Sequence, residues 1–214
     1  MNERTVMVIG EDSVQKLRES KIAVFGAGGV GGAAIEALAR VGVGSLDVFD
    51  GDCISESNLN RQIIATVNTI GERKVIAARE RIHAINPDCK VNAVDMFITL
   101  ENVDEIDFSV YDYVIDAIDN VTAKLAIIER SKRIVSCMGT GNKLDPTRFK
   151  ITDISKTSVC PLARVMRGKV KKPLNVLWSD EPPLTNARPP GSVSFVPPVA
   201  GMILAGHVIK EIIK

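Results

Sequence analysis

The chain has 214 residues, a formal net charge of +1 and 45% hydrophobic residues. This length suits one domain, or one domain with an appended subdomain, and the hydrophobic fraction is ample for a core. A charge so near zero argues neither for nor against nucleic acid as a partner. The four cysteines are widely spaced without a C-x-x-C pair, which argues against a four-cysteine zinc site.

The compartment is also indicated by what the sequence lacks. We see no signal peptide at the N-terminus, so we expect a cytoplasmic protein with reduced thiols. The longest apolar stretch lies near the C-terminus, where prolines, a glycine and a histidine interrupt it. Such a stretch does not predict a membrane span, and we expect no membrane partner.

Strand-like and helix-like segments alternate through the first two thirds of the chain. Strands are expected over 21–26, 45–50, 90–98, 112–119 and 133–139, and helices over 11–20, 30–44, 73–87 and 124–132. This alternation predicts an α/β fold with a doubly wound, Rossmann-like parallel sheet covered by helices on both faces.

The alternation fades from Asn142 onward, where prolines cluster. We therefore expect a nucleotide-binding domain over 1–141 and an irregular C-terminal subdomain over 142–214, continuous with the first and ending in a helix over about 199–213. Two joins are unusually short, one at Ser131 and one around Arg188. We expect that residues are missing from the chain at these joins.

The segment GAGGVG carries the strongest motif. Gly26, Gly28 and Gly31 fit G-x-G-x-x-G, with Gly29 inside it, between a predicted strand and a predicted helix. Glycines allow the backbone to turn tightly and to approach a phosphate, while the helix N-terminus supplies free N–H groups. Asp50 ends the second predicted strand and can accept hydrogen bonds from a ribose diol. The pattern predicts a nucleotide site.

Polar residues near this motif favour a triphosphate over a nicotinamide cofactor. They are Asp52, Asn58, Arg61 and Lys74. Two cations suit phosphates, and a dehydrogenase has little use for both. Asp116 and Asp119 end the fourth predicted strand, where a carboxylate can hold magnesium. A nicotinamide oxidoreductase or a non-catalytic nucleotide sensor remains an alternative. However, His83 and His207 fall in predicted helices, and we expect them to be structural or surface residues.

The motifs GAGGVG, SNLNRQ (57–62), GERK (71–74), INP (85–87) and DAIDN (116–120) resemble the nucleotide core of the ubiquitin-activating-enzyme-like superfamily. The resemblance implies adenylation of a carboxylate with magnesium-ATP. It implies that Asp50 holds the ribose, that Asn58, Arg61 and Lys74 attend the phosphates, and that Asp119 binds magnesium. It also implies a homodimer in which Arg4 reaches the partner's site.

Segments 136–167 and 190–201 are similar to the tRNA threonylcarbamoyladenosine dehydratase family more than to the activators of sulfur carriers. That resemblance implies activation of the carboxylate of a threonylcarbamoyl group on tRNA, followed by attack of the group's own nitrogen. Such ring closure needs no enzyme nucleophile. Adenylation of the C-terminus of a ubiquitin-like sulfur carrier is the alternative. Cys160 could be reactive, but we interpret it as a half-buried structural residue and Cys137 as a core residue.

The densest basic run is RVMRGKVKK, residues 164–172. It is either a tRNA phosphate-binding surface or a solvated helix face without a partner. Since no aromatic residues are interleaved with these cations, the tRNA interpretation depends on the family resemblance.

Overall fold

The computed structural model describes residues 3–214, which form one sheet with helices on both of its faces. The strands are β1 (Lys21–Phe25), β2 (Ser45–Phe49), β3 (Lys90–Val94), β4 (Tyr113–Asp116), β5 (Ile134–Cys137), β6 (Phe149–Asp153) and β7 (Asn175–Ser179). The helices are α1 (Glu3–Ile9), α2 (Glu11–Glu19), α3 (Gly29–Val41), α4 (Lys74–Ile85), α5 (Val121–Arg130), α6 (Pro161–Arg167) and α7 (Val196–Ile212).

The sheet has the order β3-β2-β1-β4-β5-β7-β6. Every pairing is parallel except that of β6 with β7. The chain therefore winds outward from β1 to β3 and then returns to place β4 on the other side of β1. In doubly wound sheets ligands bind at this reversal, beyond the carboxyl ends of the strands. Phe25 pairs with both Phe49 and Asp116, so β1, β2 and β4 end level with one another.

Two hydrophobic layers cover the sheet, one on each face. The first contains residues of α2, α3, α4 and α7, and the second contains residues of α5 and α6 together with Phe108 and Trp178. Helix α7 approaches α3 very closely, because a Cβ built on Gly201 would lie 2.1 Å from the carbonyl oxygen of Val30. Only glycine permits that approach. The predicted fold class is confirmed. Within residues 3–214, no helix is long and apolar enough to cross a membrane.

The C-terminal segment is more regular than we expected. Strands β6 and β7 and helix α6 all lie beyond Asn142, and the two strands extend the same sheet. Their sequence signal is weak because irregular segments with prolines separate them, in place of the strand–helix alternation of the first part of the chain. The last helix begins at Val196, before the expected start, because Pro197 and Pro198 occupy its first turn. Proline is tolerated there, since those backbone nitrogens have no partner in a helix.

Several strands are shorter than predicted, and the two short joins differ from each other. Strands β3 and β4 end at Val94 and Asp116, and the polar and apolar residues that follow each strand lie in loops. At the first join, the backbone N–H and the hydroxyl of Ser131 both donate to the carbonyl of Ile127, at 3.0 and 2.7 Å. This double cap ends α5 and lets the chain enter β5 after residues 131–133. The second join lies within residues 180–195, which contain no regular helix or strand.

Candidate nucleotide site

A cavity of about 590 Å³ lies at the carboxyl ends of β1, β2 and β4. It occupies the reversal point of the sheet, where the topology places ligands. Most residues predicted from the sequence line it: Gly26, Gly28, Asp50, Asp52, Asn58, Arg61, Lys74 and Asp119. The floor includes Phe49, whose ring stacks on Phe25 at a centroid distance of 4.5 Å. The structure therefore brings together residues that are up to 93 positions apart in the chain.

The glycine loop has a conformation that side chains would not tolerate. Gly26 has φ of +93°, and a Cβ on it would lie 2.9 Å from the carbonyl oxygen of Ala117. A Cβ on Gly31 would lie 1.7 Å from the carbonyl oxygen of Gly26. Loop and helix thus contact each other directly. This contact holds the N-terminus of α3, with its free N–H groups, at the cavity.

The other two glycines of the motif have different surroundings. Gly28 faces the cavity, and the nearest atom to a Cβ built there is Nε2 of Gln62 at 3.8 Å. A Cβ on Gly29 would lie 2.9 Å from Cβ of Pro197, so this position is small because α7 packs against it. Gly29 and Gly31 do not line the cavity, and packing alone accounts for their lack of a side chain.

Asp50 connects β2 to the glycine loop. Its Oδ2 accepts a hydrogen bond from the backbone N–H of Ala27 at 2.7 Å, and its Oδ1 accepts one from Asp52 at 2.9 Å. A carboxylate oxygen can accept a second hydrogen bond, so each keeps capacity for a ligand. The half-buried carboxylate is therefore held rigidly at the cavity by the backbone, as a ribose-binding group requires.

The loop after β2 positions Asp52, Asn58 and Lys74. The ammonium of Lys74 contacts Oδ2 of Asp52 at 2.7 Å, and the lysine side chain is only 8% exposed. Its charge is therefore held in place before any phosphate arrives. Asn58 is buried, and its Oδ1 accepts a hydrogen bond from the backbone N–H of Ser55 at 3.1 Å. Asn58 thus also stabilises the turn of the loop.

Arg61 carries a charge without a carboxylate partner within the described part of the chain. Its Nη1 donates to the carbonyl of Ser57 and to Oδ1 of Asn60, both at 2.8 Å. These two contacts orient the guanidinium from one side only. A guanidinium has five N–H donors, so donors remain for a phosphate in the cavity.

Asp116 and Asp119 are close in sequence but differ in burial and pairing. The side chain of Asp116 is fully buried, and it pairs with the ammonium of Lys124 at 3.0 Å and accepts from the hydroxyl of Ser136 at 2.6 Å. It is therefore unavailable to a metal, which removes it as a magnesium candidate. Lys124 also donates to the carbonyl of Ile118 at 2.9 Å and so fixes the loop that bears Asp119. Asp119 is exposed and lines the cavity.

One wall of the cavity was not predicted from the sequence. It consists of residues 96–99 after β3, together with Gln62, Ala117, Ile118, Asn120 and Ala123. The ring of Phe97 covers Gly51, since a Cβ on that glycine would lie 2.6 Å from the ring. The sequence predicts a strand over 90–98 because residues 96–98 are apolar, but the strand ends at Val94. The position of this run just beyond a strand end, next to the Asp50 loop, is the signal that could have identified it.

Comparison with known proteins supports this interpretation of the cavity. The model of the ThiF family matches residues 2–214. The tRNA threonylcarbamoyladenosine dehydratase of Bacillus subtilis is 40% identical, over 99% of this chain and 94% of that protein. A crystal structure of the Escherichia coli tRNA N6-threonylcarbamoyladenosine dehydratase in complex with ATP is similar with a TM-score of 0.92. It is 35% identical over 98% of this chain and 92% of that chain.

The chain belongs to the ThiF family. Within this family the sulfur carrier protein adenylyltransferase of Thermus thermophilus is 35% identical over only 56% of this chain and 44% of that protein. The match to the Bacillus subtilis protein runs over 238 positions, more than the 214 residues of this chain. The alignment therefore includes positions that have no counterpart in this ThiF-family chain, and the absence of residues at the two joins stays a prediction.

The cysteines and histidines of this ThiF-family chain lie outside the cavity. Cys137 lies in β5 and is buried, which raises the pKa of its thiol to about 12. Cys160 directly precedes α6 and is fully buried rather than half-buried, which agrees with a structural role. His83 is exposed, and His207 is half-buried with its Nε2 3.1 Å from the Tyr113 hydroxyl. Both histidines thus have the structural or surface positions that we expected.

The basic run, residues 164–172, lies mainly near the amino ends of the strands, away from the cavity. Arg164 and Arg167 are exposed on α6, but residues 168–172 form a loop that leads to the amino end of β7. Lys172 donates to the carbonyl of Ser131, next to the start of β5, at 2.9 Å. Because β5 and β7 run parallel to β1, these lysines are far from the nucleotide cavity. The run is not a single helix face.

Proposed function

We propose that this ThiF-family chain uses ATP to dehydrate threonylcarbamoyladenosine in tRNA, by adenylating its carboxylate and closing a ring. The observation that carries this proposal is the cavity at the sheet reversal, which Arg61 and Lys74 both line and where Arg61 has no carboxylate partner among the described residues. The Bacillus subtilis and Escherichia coli proteins that match nearly the whole chain are named tRNA threonylcarbamoyladenosine dehydratases, and the Escherichia coli protein binds ATP in its crystal structure.

In the first step the substrate carboxylate attacks the α-phosphorus of ATP. A phosphorus–oxygen bond forms, the bond to the β-phosphate oxygen breaks, and pyrophosphate leaves with the electron pair. Asp50 would hold the ribose, while Arg61, Lys74 and the N–H groups of the glycine loop would stabilise charge on the phosphates. Asn58 would contribute its Nδ2, because its Oδ1 is already bonded to the loop.

In the second step a nitrogen of the same group attacks the activated acyl carbon. A carbon–nitrogen bond forms, AMP leaves, the nitrogen loses its proton, and the nucleoside has lost one water overall. Proximity within one substrate supplies this attack, so no enzyme nucleophile is required. The buried positions of Cys137 and Cys160 support this route, since neither thiol can reach the cavity. The enzyme would act as an ATP-dependent cyclase in the ligase class, and it would meet its tRNA in the cytoplasm.

Magnesium would be held by Asp119 together with the phosphates. Asp119 is exposed at the cavity, and magnesium in nucleotide enzymes often takes only one or two protein carboxylates, with phosphates and waters as its other ligands. Residues 3–214 contain no cluster of three or more acidic, histidine or cysteine side chains that could hold a metal alone. The single carboxylate of Asp119 fits a magnesium site of this kind, in which the nucleotide supplies the other ligands. Bound there, magnesium would neutralise charge on the leaving pyrophosphate.

The decisive test incubates the protein with magnesium-ATP and tRNA that carries threonylcarbamoyladenosine, followed by digestion to nucleosides and mass spectrometry. We expect an ATP-dependent loss of one water from that nucleoside. Pyrophosphate release with an unchanged nucleoside mass would contradict the substrate but not the adenylation. In that case a ubiquitin-like sulfur carrier would be tried next. Binding of NADH without binding of ATP would contradict both steps.

We also propose a homodimer in which Arg4 acts in the partner's site. Helix α1 contains Arg4 and buries none of its residues, and it exposes Met7 and Val8 by 82% and 83%. Such an apolar helix surface is typical of a surface that another chain covers. Mixing R4A and R61A chains tests the proposal. If Arg4 acts in trans, mixed dimers contain one complete site and regain activity, whereas no recovery would contradict it.

The basic run would bind the tRNA at a distance from the modified base. Arg164 and Arg167 lie on α6, and Lys169 to Lys172 continue toward the opposite edge of the sheet. A five-residue strand is only about 17 Å long, so an RNA stem can extend past it. Replacing Lys169, Lys171 and Lys172 by alanine should weaken tRNA binding at every sequence alike and reduce its salt dependence. An unchanged salt dependence would mean a solvated surface.

A further inference from the structure

The side chain of Gln62 is almost fully buried next to the glycine loop, yet its Oε1 is not satisfied. Its relative exposure is 7%, and its Oε1 has no hydrogen-bond partner within the described residues. Buried polar atoms in folded proteins nearly always have a partner, and an unpaired one is costly. A methionine or leucine would fill the same volume without that cost. Packing alone therefore does not explain an amide here.

The Nε2 atom of the Gln62 amide faces the cavity. Gln62 lines the cavity, and its Nε2 is the atom nearest to a Cβ built on Gly28, at 3.8 Å. The structure gives this Nε2 no acceptor among the described residues. An N–H donor thus lies next to the N-terminus of α3, where free N–H groups and the helix dipole favour an anion. The reverse orientation of the amide would place its oxygen against the same anion and would be repulsive.

A second unsatisfied atom lies in the same neighbourhood. The hydroxyl oxygen of Ser192 is the other buried side-chain atom without a partner in residues 3–214. Its backbone carbonyl accepts a hydrogen bond from Nδ2 of Asn60 at 3.0 Å, two positions before Gln62. Both unsatisfied groups therefore lie on segments that flank Arg61. Elsewhere in the described chain, buried polar side chains have their partners.

We propose that Gln62 binds the carboxylate of the acyl substrate and holds it for attack on the α-phosphate, by donating a hydrogen bond from Nε2. This proposal rests on the adenylation function proposed above. Arg61 and Lys74 serve the phosphates, which leaves the incoming carboxylate without a binding group. A neutral donor suits that carboxylate better than a cation. A cation would stabilise the negative charge of the nucleophile before the reaction and so slow its attack, whereas an amide orients the group with little loss of nucleophilicity.

The test compares Q62M with wild type and with Q15M. Methionine keeps the volume of glutamine and removes its donor. Gln15 is an exposed glutamine on α2 that donates to Glu19, so Q15M makes the same chemical change far from the cavity. Three quantities are measured for each protein: the thermal midpoint of unfolding, the affinity for a non-hydrolysable ATP analogue, and kcat and KM for the modified tRNA at saturating ATP.

For Q62M we expect an unchanged or higher unfolding midpoint, because the unsatisfied atom is gone. ATP-analogue affinity should stay within about twofold of wild type, while kcat/KM for the tRNA falls about ten- to a hundredfold, the range for a lost hydrogen bond to a charged group. Q15M should match wild type in all three. A merely structural role for Gln62 would lower the midpoint and would not separate the two ligands.

Three results would overturn the inference. Unchanged tRNA kinetics in Q62M would mean that the amide does not touch the substrate. An equal loss of ATP-analogue affinity would assign Nε2 to the phosphates instead. If wild type binds ATP but does not convert the nucleoside, the proposed function itself fails, and this inference fails with it. The wild-type measurement thus distinguishes failure of the proposed function from failure of the role proposed for Gln62.

Discussion

Open cavities lie at both ends of the parallel strands, but within residues 3–214 only the one at the carboxyl ends has a buried side chain with an unsatisfied polar atom. The cavity at the amino ends of β1, β2 and β3 is larger, about 730 Å³ against about 590 Å³. There the buried polar side chains bond to the protein itself: Ser20 donates to Leu17 at 2.7 Å, and Asn86 donates to Ala39 at 3.3 Å. At the carboxyl ends, Oε1 of the buried Gln62 has no partner among the described residues. An unsatisfied buried group, rather than volume, therefore distinguishes the candidate site.

The carboxyl ends of the strands also place a paired and an unpaired carboxylate close together in the chain. Asp116 is fully paired and holds the loop in place, while Asp119 at the end of that loop is exposed. A paired group should contribute to stability and an unpaired one to chemistry. The experiments below test this difference, beginning with the largest expected effect.

Replacing Asp116 by alanine should destabilise the protein by about 3–5 kcal/mol, because it leaves the buried Lys124 charge without a partner. Urea denaturation followed by circular dichroism measures this loss. The double variant D116A/K124M should recover a large part of it, since no charge remains buried. A single variant as stable as wild type would show that the pair does not hold the loop.

Replacing Arg61 or Asp119 by alanine should reduce pyrophosphate release by about 100- to 1000-fold, the cost of losing one group that stabilises transition-state charge. Both variants should unfold at the same urea concentration as wild type, since neither group has a buried partner. The matched control is D88A, which removes a carboxylate from the larger cavity and should leave pyrophosphate release unchanged. Normal pyrophosphate release by R61A would contradict the assignment of the site to the cavity at the carboxyl ends of the strands.

Gly31 and Gly206 offer a matched pair of substitutions within helices. A Cβ on Gly31 would lie 1.7 Å from the carbonyl of Gly26, whereas a Cβ on Gly206 would have no atom within 4 Å. G31A should lose about 1–3 kcal/mol of stability and most ATP binding. G206A should gain up to about 1 kcal/mol, because alanine reduces the entropy of the unfolded chain. Calorimetric unfolding and nucleotide titration measure both quantities. Equal behaviour of the two variants would refute the packing explanation.

The smallest effect concerns His207. Burial lowers the pKa of His207 below its usual value, and its Nε2 contacts the Tyr113 hydroxyl. The carboxylate of Glu211 raises this pKa, while Lys210 and Lys214 lower it further. With the folded pKa depressed, the unfolded chain binds more protons below its own pKa of about 6.5, so stability falls as the pH falls from there. H207Q should reduce that slope in urea midpoints measured from pH 8 to pH 5.

Much of the site could be predicted from the sequence because its elements are local. GAGGVG stands between a strand and a helix, and Asp50 ends the next strand, so the nucleotide site followed from motif and position alone. The adjacent wall at Phe97 could not be predicted in this way. This segment is apolar and follows β3 directly, so its sequence resembles a continuation of the strand. Only the path of the backbone shows that it leaves the sheet.

The sequence also could not show which of Asp116 and Asp119 is paired and which is free. Both follow an apolar run and both could have been metal ligands. Burial of Lys124 against Asp116 depends on the packing of α5 on the sheet, which brings together groups that a pattern of residues does not connect. The same holds for β6 and β7, whose short segments become strands because β5 offers an edge to pair with.

The sequence by itself determined the α/β class, the glycine loop with the carboxylate of Asp50 beside it, and the cations that line the cavity. These depend on periodicity and on spacing within a few turns of chain. The tertiary structure alone decided which carboxylate is free, which wall completes the cavity, at which ends of the strands the lysines lie and that the buried amide of Gln62 stays unsatisfied. These depend on contacts between distant segments, whose energies come from burial and partner geometry rather than from the order of residues.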